Sequence, residues 1–279
     1  METFLKIENF SCGYGDEYFK TDKLNLSIIK GSFTGIIGKN GSGKSTFFKG
    51  ITGDIPSLSG SITLNEPSLG NINLLSLPIK KRAQIVAVVS QFAELAPISV
   101  KEYVLMGRTP YRKPLQFSYT EQDYLLAEKY MEMTGITHLK DKLVTELSGG
   151  EQQMINIACA LTQQPLLLLL DEPTSHLDIS FQLRIMDLLQ QLNAEENLTI
   201  IMIIHDLNLA GEYCSNIALM KEGKIICQGT PDNVLTYNNI EYGYDTTAVV
   251  QSNPISGKPL VFPISKRCLE EHRKTHRTD

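Results

Sequence analysis

The chain has 279 residues, of which 42% are apolar, enough to fill a sizeable core, and this excludes a disordered or fibrous protein. Its 26 Lys+Arg against 31 Asp+Glu give a net charge of −5, which disfavours a whole-surface polyanion binder while leaving room for a local basic patch. The purest apolar runs, Leu166 to Leu170 and Ile200 to Ile204, stop at Asp171 and His205, far short of the roughly 18 residues that a membrane helix needs. The start, Met1-Glu2-Thr3-Phe4-Leu5-Lys6, lacks a basic segment followed by an apolar one, so the protein is expected to stay in the cytosol. Five cysteines (Cys12, Cys159, Cys214, Cys227, Cys268), odd in number and with no Cys-x-x-Cys pair, read as reduced packing residues.

As far as Gln91 the chain alternates short β-rich runs with turns: Phe4 to Phe10, Asn25 to Ile29, Ser32 to Ile37, Ser61 to Asn65 and Ile85 to Val89. Between the third run and a helical Thr46 to Ile51 lies Gly38-Lys39-Asn40-Gly41-Ser42-Gly43-Lys44-Ser45-Thr46, which fits G-x-x-x-x-G-K-[ST] in the strand–loop–helix context that its mechanism requires. Glycines let backbone N–H groups converge on a phosphate and the helix N-terminus adds its dipole; Lys44 reaches β/γ oxygens and Ser45 can ligate Mg²⁺. A nucleoside triphosphate is the expected ligand.

From about Phe92 to Ala160 the pattern turns helical, clearest where Thr120 caps a segment with Tyr124, Ala127 and Met131 on one face, ending at Gly135. Within this stretch Leu147-Ser148-Gly149-Gly150-Glu151-Gln152 precedes an apolar helix, so Ser148 can cap it while Gly149 and Gly150 expose N–H groups, either as an ordinary cap or as a second anion cradle. Next, the apolar strand Leu166 to Leu170 ends in Asp171 and Glu172. Beside a phosphate loop the first carboxylate suits Mg²⁺ and the second suits orienting or deprotonating an attacking water, making Glu172 the expected catalytic base. A helix with Ile185, Met186, Leu189 and Leu192 at helical spacing and a second apolar strand, Leu198 to Ile204, complete a strand–helix–strand unit that implies a buried parallel sheet. Ile217 to Met220 and Lys224 to Cys227, around Lys221-Glu222-Gly223, read as a hairpin with Gly223 at positive φ. A tail from Pro231 carries turns, a short apolar run (Leu260 to Ile264) and a charged end, Lys266 to Asp279.

Taken together, Gly38 to Thr46, Gln91, Leu147 to Gln152, Leu166 to Glu172, Ser175-His176-Leu177-Asp178 and His205 resemble, in order and spacing, the ATP-binding subunit of ATP-binding-cassette (ABC) transporters over about residues 4 to 230. The resemblance implies an α/β P-loop NTPase cassette: a mixed-sheet ATP-binding lobe, a helical subdomain inserted at about 92–160, and a small extension at 231–279. It implies ATP and Mg²⁺ as ligands, with Gly38, Asn40, Gly41, Ser42, Gly43, Lys44, Ser45 and Thr46 around the phosphates and Tyr14 stacked on adenine. Ser45, Gln91 and Asp171 would serve the metal, and Gln91 and His205 would assist Glu172, His205 against the γ-phosphate. Ser148, Gly149, Gly150 and Asp178 would complete the site of a second copy of the chain. The signature departs from many relatives at Glu151, where they have glutamine, and at Met154, where they have arginine; His176 varies among relatives and is assigned no chemistry.

A cassette with no membrane helix implies separate permease subunits, docked around Phe92 to Pro114, and a place on the inner face of the membrane. The stretches Ser99 to Arg108 with Pro110-Tyr111, and Asn253 to Val261, look like cassettes of importers for iron-siderophore, haem and cobalamin complexes, which work with an extracellular or periplasmic binding protein. By their bare pattern they would be an amphipathic helix and a β-turn between short strands. An exporter or regulatory ABC ATPase is the nearer alternative. A nucleic-acid maintenance ATPase is the remoter one, since Lys44 and Ser148 stand only 104 positions apart and the chain is acidic, so no nucleic-acid partner is expected.

Overall fold

The computed structural model describes residues 3–13, 21–91, 96–265 and 267–268. Its strands are β1 (Thr3–Cys12), β2 (Leu24–Ile29), β3 (Phe33–Ile37), β4 (Ser57–Glu66), β5 (Gly70–Asn73), β6 (Val86–Val89), β7 (Leu167–Asp171), β8 (Thr199–Ile203), β9 (Asn216–Lys221), β10 (Lys224–Gly229), β11 (Ala248–Ser252) and β12 (Pro259–Pro263). The helices are α1 (Lys44–Thr52), α2 (Ile79–Arg82), α3 (Val100–Leu105), α4 (Glu121–Met133), α5 (Gly149–Thr162), α6 (Ile179–Glu196), α7 (Leu207–Tyr213), α8 (Pro231–Val234) and α9 (Tyr237–Tyr244).

The β-rich start does not form a single sheet. A four-stranded antiparallel sheet has the order β2-β1-β4-β5, whereas β3 and β6 belong to a six-stranded sheet ordered β10-β9-β3-β8-β7-β6. Burial explains the division. β2 alternates buried and exposed residues, as a one-sided antiparallel strand does, but all five residues of β3 are buried, as a strand covered on both faces requires. In the larger sheet β9, β3, β8, β7 and β6 run parallel, and β10 folds back antiparallel on β9 as the hairpin predicts, with Glu222 and Gly223 both at positive φ.

The apolar runs of the parallel strands feed two cores at once. Leu168, Leu170, Ile200, Met202 and Leu219 enter a core shared with α3 to α6, while Leu167, Leu169, Ile201, Ile203 and Met220 enter one shared with α1 and the antiparallel sheet. Register aligns the strand ends: Ile36 lies beside Ile203, Ile203 beside Asp171, and Leu170 beside Val89. The loops leaving β3, β8, β7 and β6 therefore open at one edge, where ligands of such sheets bind.

The helical stretch holds α3, α4 and α5. Thr120 caps α4 in a reciprocal capping box with Asp123, and Gly135 follows the helix at φ 70°, as predicted. The buried face differs from the expected one. Asp123, Leu126, Ala127, Tyr130 and Met131 point inward, and Tyr124 is exposed on the flank, edge-on to the ring of Tyr119. The cause is Arg108. It is itself buried and donates to Asp123 Oδ1 at 2.8 Å and to the Thr162 carbonyl at 3.0 Å, drawing that edge of α4 inward. Burial works against the charge of Asp123, but Arg108 and the Thr120 N–H and hydroxyl hold its carboxyl below the usual carboxylate range.

The segment Met106 to Tyr111 is thus a packing device. A Cβ on Gly107 would sit 2.1 Å from the Cys159 carbonyl, so only glycine lets this turn lie against α5. Arg108 stacks 3.9 Å over the Tyr111 ring, whose hydroxyl donates to the Gln163 carbonyl at 2.9 Å. After residue 230, Val234, Leu235, Ile240, Ala248 and Val261 join the helix-side core, and Asn253 to Val261 form the turn and second strand of the β11–β12 hairpin. All five cysteines are free thiols.

Because Arg108 and Asp123 are a buried pair, Arg108→Ala is expected to lower the unfolding free energy by about 3–5 kcal/mol in a denaturant titration, and replacing both partners with apolar residues of similar volume should cost much less.

Candidate functional site

The loop between β3 and α1 is held from behind by backbone. Gly38 has φ 147°, and a Cβ there would lie 2.2 Å from the Met220 carbonyl of β9, so this position admits glycine alone. The Gly223 N–H donates to the Ser42 carbonyl at 2.9 Å, tying the loop to the β9–β10 turn. Gly41 at φ 79° has nothing within 4 Å of a would-be Cβ and faces open space, leaving backbone accessible to a ligand. Helix α1 begins at Lys44, two residues before the predicted start.

Lys44 is 5% exposed, and its Nζ donates to the Gly38 carbonyl at 2.7 Å and the Lys39 carbonyl at 3.2 Å. Burial pulls its pKa down, while the charges of Glu172 and Asp171 push it back up. Asp171, at the end of β7, shows the converse: burial and the neighbouring Glu172 raise its pKa, opposed by the Ser45 hydroxyl, which lies 3.5 Å from Oδ1, and by Lys44.

Glu172 leaves β7 at φ 51°, its N–H donating to the Ile203 carbonyl at 3.2 Å. Its carboxylate has a partner from each of three neighbouring segments. Gln91, just past β6, donates Nε2–H to Oε2 at 2.9 Å; the Ser175 hydroxyl donates to the same oxygen at 3.1 Å; and His205 Nε2, just past β8, stands 2.5 Å from Oε1. Aligned strand ends thereby bring together groups that are 81 and 33 positions apart in sequence.

These residues border a cleft of about 800 Å³ lined by Asn40, Gly41, Gly43, Lys44, Ser45, Thr46, Gln91, Glu172, Ser175, His176 and His205. Gly38, Ser42 and Asp171 stand behind its wall: the buried Ser42 gives its N–H to the Lys39 carbonyl, and Asp171 reaches the site through Ser45. Tyr14 lies outside the described residues, as do residues 92–95 of the expected docking stretch. Ser175 belongs to the Ser175-His176-Leu177-Asp178 motif but has no role of its own in that pattern; its hydroxyl bonds the carboxylate of Glu172, three positions earlier. His176 also lines the cleft, at φ 63°.

Ser148, Gly149, Gly150 and Asp178 do not line this cleft. Ser148 caps α5 in a reciprocal capping box: its hydroxyl and N–H donate to Glu151 Oε2 at 2.6 and 2.9 Å, which lowers the Glu151 pKa. A Cβ on Gly150 would press into the Phe181 ring at 2.6 Å, whereas Gly149 has only Leu177 at 4.0 Å and remains open. Asp178 caps α6, accepting from the Ser180 and Phe181 N–H groups at 2.9 and 3.0 Å and from the Ser180 hydroxyl, so its carboxyl titrates low.

Across residues 21–175 the chain matches the family model described as ABC transporter, a span that contains the glycine loop, Gln91, the Ser148 turn and Glu172. The chain belongs to the ABC transporter family. Within it, the chain is 36% identical over 263 residues to the ferric enterobactin transport ATP-binding protein FepC of Escherichia coli (strain K12), covering 94% of both chains. It is 37% identical over 258 residues to the ABC transporter ATP-binding protein YvrA of Bacillus subtilis (strain 168), covering 92% of this chain but only 57% of YvrA. Among solved structures it superposes with a TM-score of 0.81 and 27% identity on a metal-chelate type ABC transporter in an inward-facing conformation, covering 96% of this chain and all of the other. The chain is accordingly an ATP-binding ABC ATPase, and its cassette fold is that of the α/β P-loop family.

The raised pKa of Asp171 carries a consequence for stability. The ionised carboxylate is disfavoured in the folded ATPase, so a contribution present at low pH is lost as pH rises through its folded-state pKa. Asp171→Asn is expected to raise the melting temperature at pH 7 by roughly 1–3 °C, and the gain should shrink toward pH 4 when both proteins are melted in parallel.

Proposed function

We propose that this chain hydrolyses Mg²⁺-ATP in the cleft between the glycine loop and Glu172, and that the hydrolysis drives import of a metal-chelate type substrate through separate permease subunits. The observation that carries the reading is the pairing of a buried Lys44 ammonium on one wall with a Glu172 carboxylate held by Gln91, Ser175 and His205 on the other. Lys44 leaves its carbonyls for the β/γ oxygens of ATP, and the open N–H groups around Asn40 to Thr46 receive the phosphate charge. Ser45 and Asp171 offer hard oxygen ligands, and a cation there relieves the burial penalty that Asp171 carries, so the residues fit Mg²⁺, with Gln91 at hand. When bound, Mg²⁺ neutralises charge developing on the phosphoryl oxygens. Glu172 accepts the proton of the attacking water, and Gln91, Ser175 and His205 fix the carboxylate toward it. Tyr14 stacks the adenine.

Ser148, Gly149, Gly150 and Asp178, which do not line the cleft, serve the site of a second copy. Dimer closure excludes water from the γ-phosphate and ties hydrolysis to movement. Residues 1–230 make the cassette, with 92–160 as its helical insertion docking the permease, and 231–279 make a C-terminal extension. Among the described residues no helix is long and apolar enough to cross a membrane, in keeping with a peripheral place on the cytoplasmic face beside the permease. FepC, named for ferric enterobactin transport, and the metal-chelate transporter structure support the cargo class, and relatives named for hemin import and iron(3+)-hydroxamate import support the direction, which also brings in an extracellular or periplasmic binding protein. Co-purification with a polytopic permease and ATPase stimulation by a loaded binding protein test that reading; stimulation by cargo without a binding protein would mark an exporter.

For the site itself, Lys44→Ala should abolish ATP binding in calorimetry, and unchanged affinity removes Lys44 from its role. Glu172→Gln should keep ATP, lose turnover by about 10²–10⁴-fold and elute as an ATP-bound dimer in size-exclusion chromatography; wild-type turnover overturns the base assignment.

A further inference from the structure

The end of α9 reaches the back of the glycine loop at the two residues on which Lys44 rests. Tyr244 is half-buried, and its hydroxyl oxygen, closed off from solvent, faces the backbone of Gly38 without a hydrogen bond of ordinary geometry. Asp245 follows at φ 54° and turns its carboxylate between two lysines. Oδ2 lies 3.3 Å from Lys39 Nζ in the glycine loop, and Oδ1 lies 2.9 Å from Lys221 Nζ at the end of β9. Lys221 is anchored in turn, donating to the Tyr242 carbonyl at 2.7 Å and lying 4.5 Å over the Tyr242 ring. Gly243 permits the approach, since a Cβ there would meet Leu219 of β9 at 2.9 Å.

Gly38 and Lys39 are the residues whose carbonyls hold the Lys44 ammonium, and Met220, just before Lys221, is the residue that backs Gly38. The glycine loop is therefore gripped from three sides: by β9, by the β9–β10 turn through Ser42, and by the end of α9 through Lys39.

We propose that Asp245 is a positioning residue of the ATP site, tying Lys39 to Lys221 so that the loop keeps its phosphate-binding shape and making nucleotide affinity depend on the segment after residue 230. The proposal rests on the reading of the cleft as a nucleotide site. A purely long-range effect of the carboxylate would act the other way: removing a negative charge near the loop would tighten the hold on a polyanion. Positioning and bulk charge thus predict opposite signs for the same substitution.

The test is a double-mutant cycle on the full chain, read as the dissociation constant for ADP in calorimetry and as KM and kcat for ATP. Both Asp245 and Lys39 are exposed in their pair, so the expected change is small, about two- to fivefold. Asp245→Asn and Lys39→Met should each weaken ADP binding by that factor, the double variant should be no weaker than the weaker single, and the loss should fall on KM rather than kcat. Asp245→Glu and Lys39→Arg, which can remake the pair, should stay near wild type, and the melting temperatures of all variants should agree to about 2 °C. Tighter binding by Asp245→Asn with weaker binding by Lys39→Met, additive losses, or unchanged constants would each overturn the proposal. A wild-type chain that binds no nucleotide would overturn the reading of the cleft, and the clamp with it, a result distinguishable because it appears before any substitution is made.

Discussion

A buried ammonium governs this molecule. Lys44 can be held away from water only where acceptors and opposite charges surround it, and the structure supplies both: carbonyls of Gly38 and Lys39 at hydrogen-bond distance, and the Asp171 and Glu172 carboxylates across the cleft. Each supplier needs the sheet. Gly38 is pressed on the Met220 carbonyl by β9, and Asp171 and Glu172 are delivered by β7, two strands from β3 with β8 between. Hydrophobic burial on both faces of those strands fixes their register, so packing far from the cleft sets the positions of charges within it.

The carboxylates share an analogous constraint with opposite sign. Asp171 bears the cost of burial beside another negative group, and Glu172 is spread over three partners from separate segments. An arrangement that buries like charges side by side is typical of a site selected for chemistry over stability. The Ser148 turn and the Asp178 cap, by contrast, are satisfied within the chain, the Ser148 hydroxyl and Asp178 Oδ1 each engaged in its own helix start.

Much of this was legible in the sequence because the governing signals are local. A glycine loop between strand and helix, an apolar run ending in two carboxylates, and a histidine closing a second run are each contiguous, and the parallel sheet follows from runs buried on both faces. What stayed hidden depended on contacts between distant segments. Nothing local separates β3 from β2 as members of different sheets, although the lack of alternation in Phe33 to Ile37 is a trace of it. The inward face of α4 was misjudged because Arg108, from another segment, draws Asp123 under and turns Tyr124 out. Ser175 stood in a motif without a role because the reach of its hydroxyl to Glu172 exists only in three dimensions, and the packing of Val234, Ile240 and Val261 into the common core is visible only once the sheet exists.

In the proposed mechanism, the carbonyl contacts of Lys44 also bear on the end of the catalytic cycle. When phosphate and ADP depart, the ammonium does not face an empty cleft; two backbone carbonyls stand ready within a side-chain rotation. Departure of product exchanges one set of hydrogen bonds for another, and does not leave a bare charge in a dry place. The loop's order is likewise maintained by its own lysine, so an arriving nucleotide meets a formed cradle and loses little affinity to ordering it. Such an exchange lowers the penalty for emptying the site and suits an engine that must release spent fuel on every stroke.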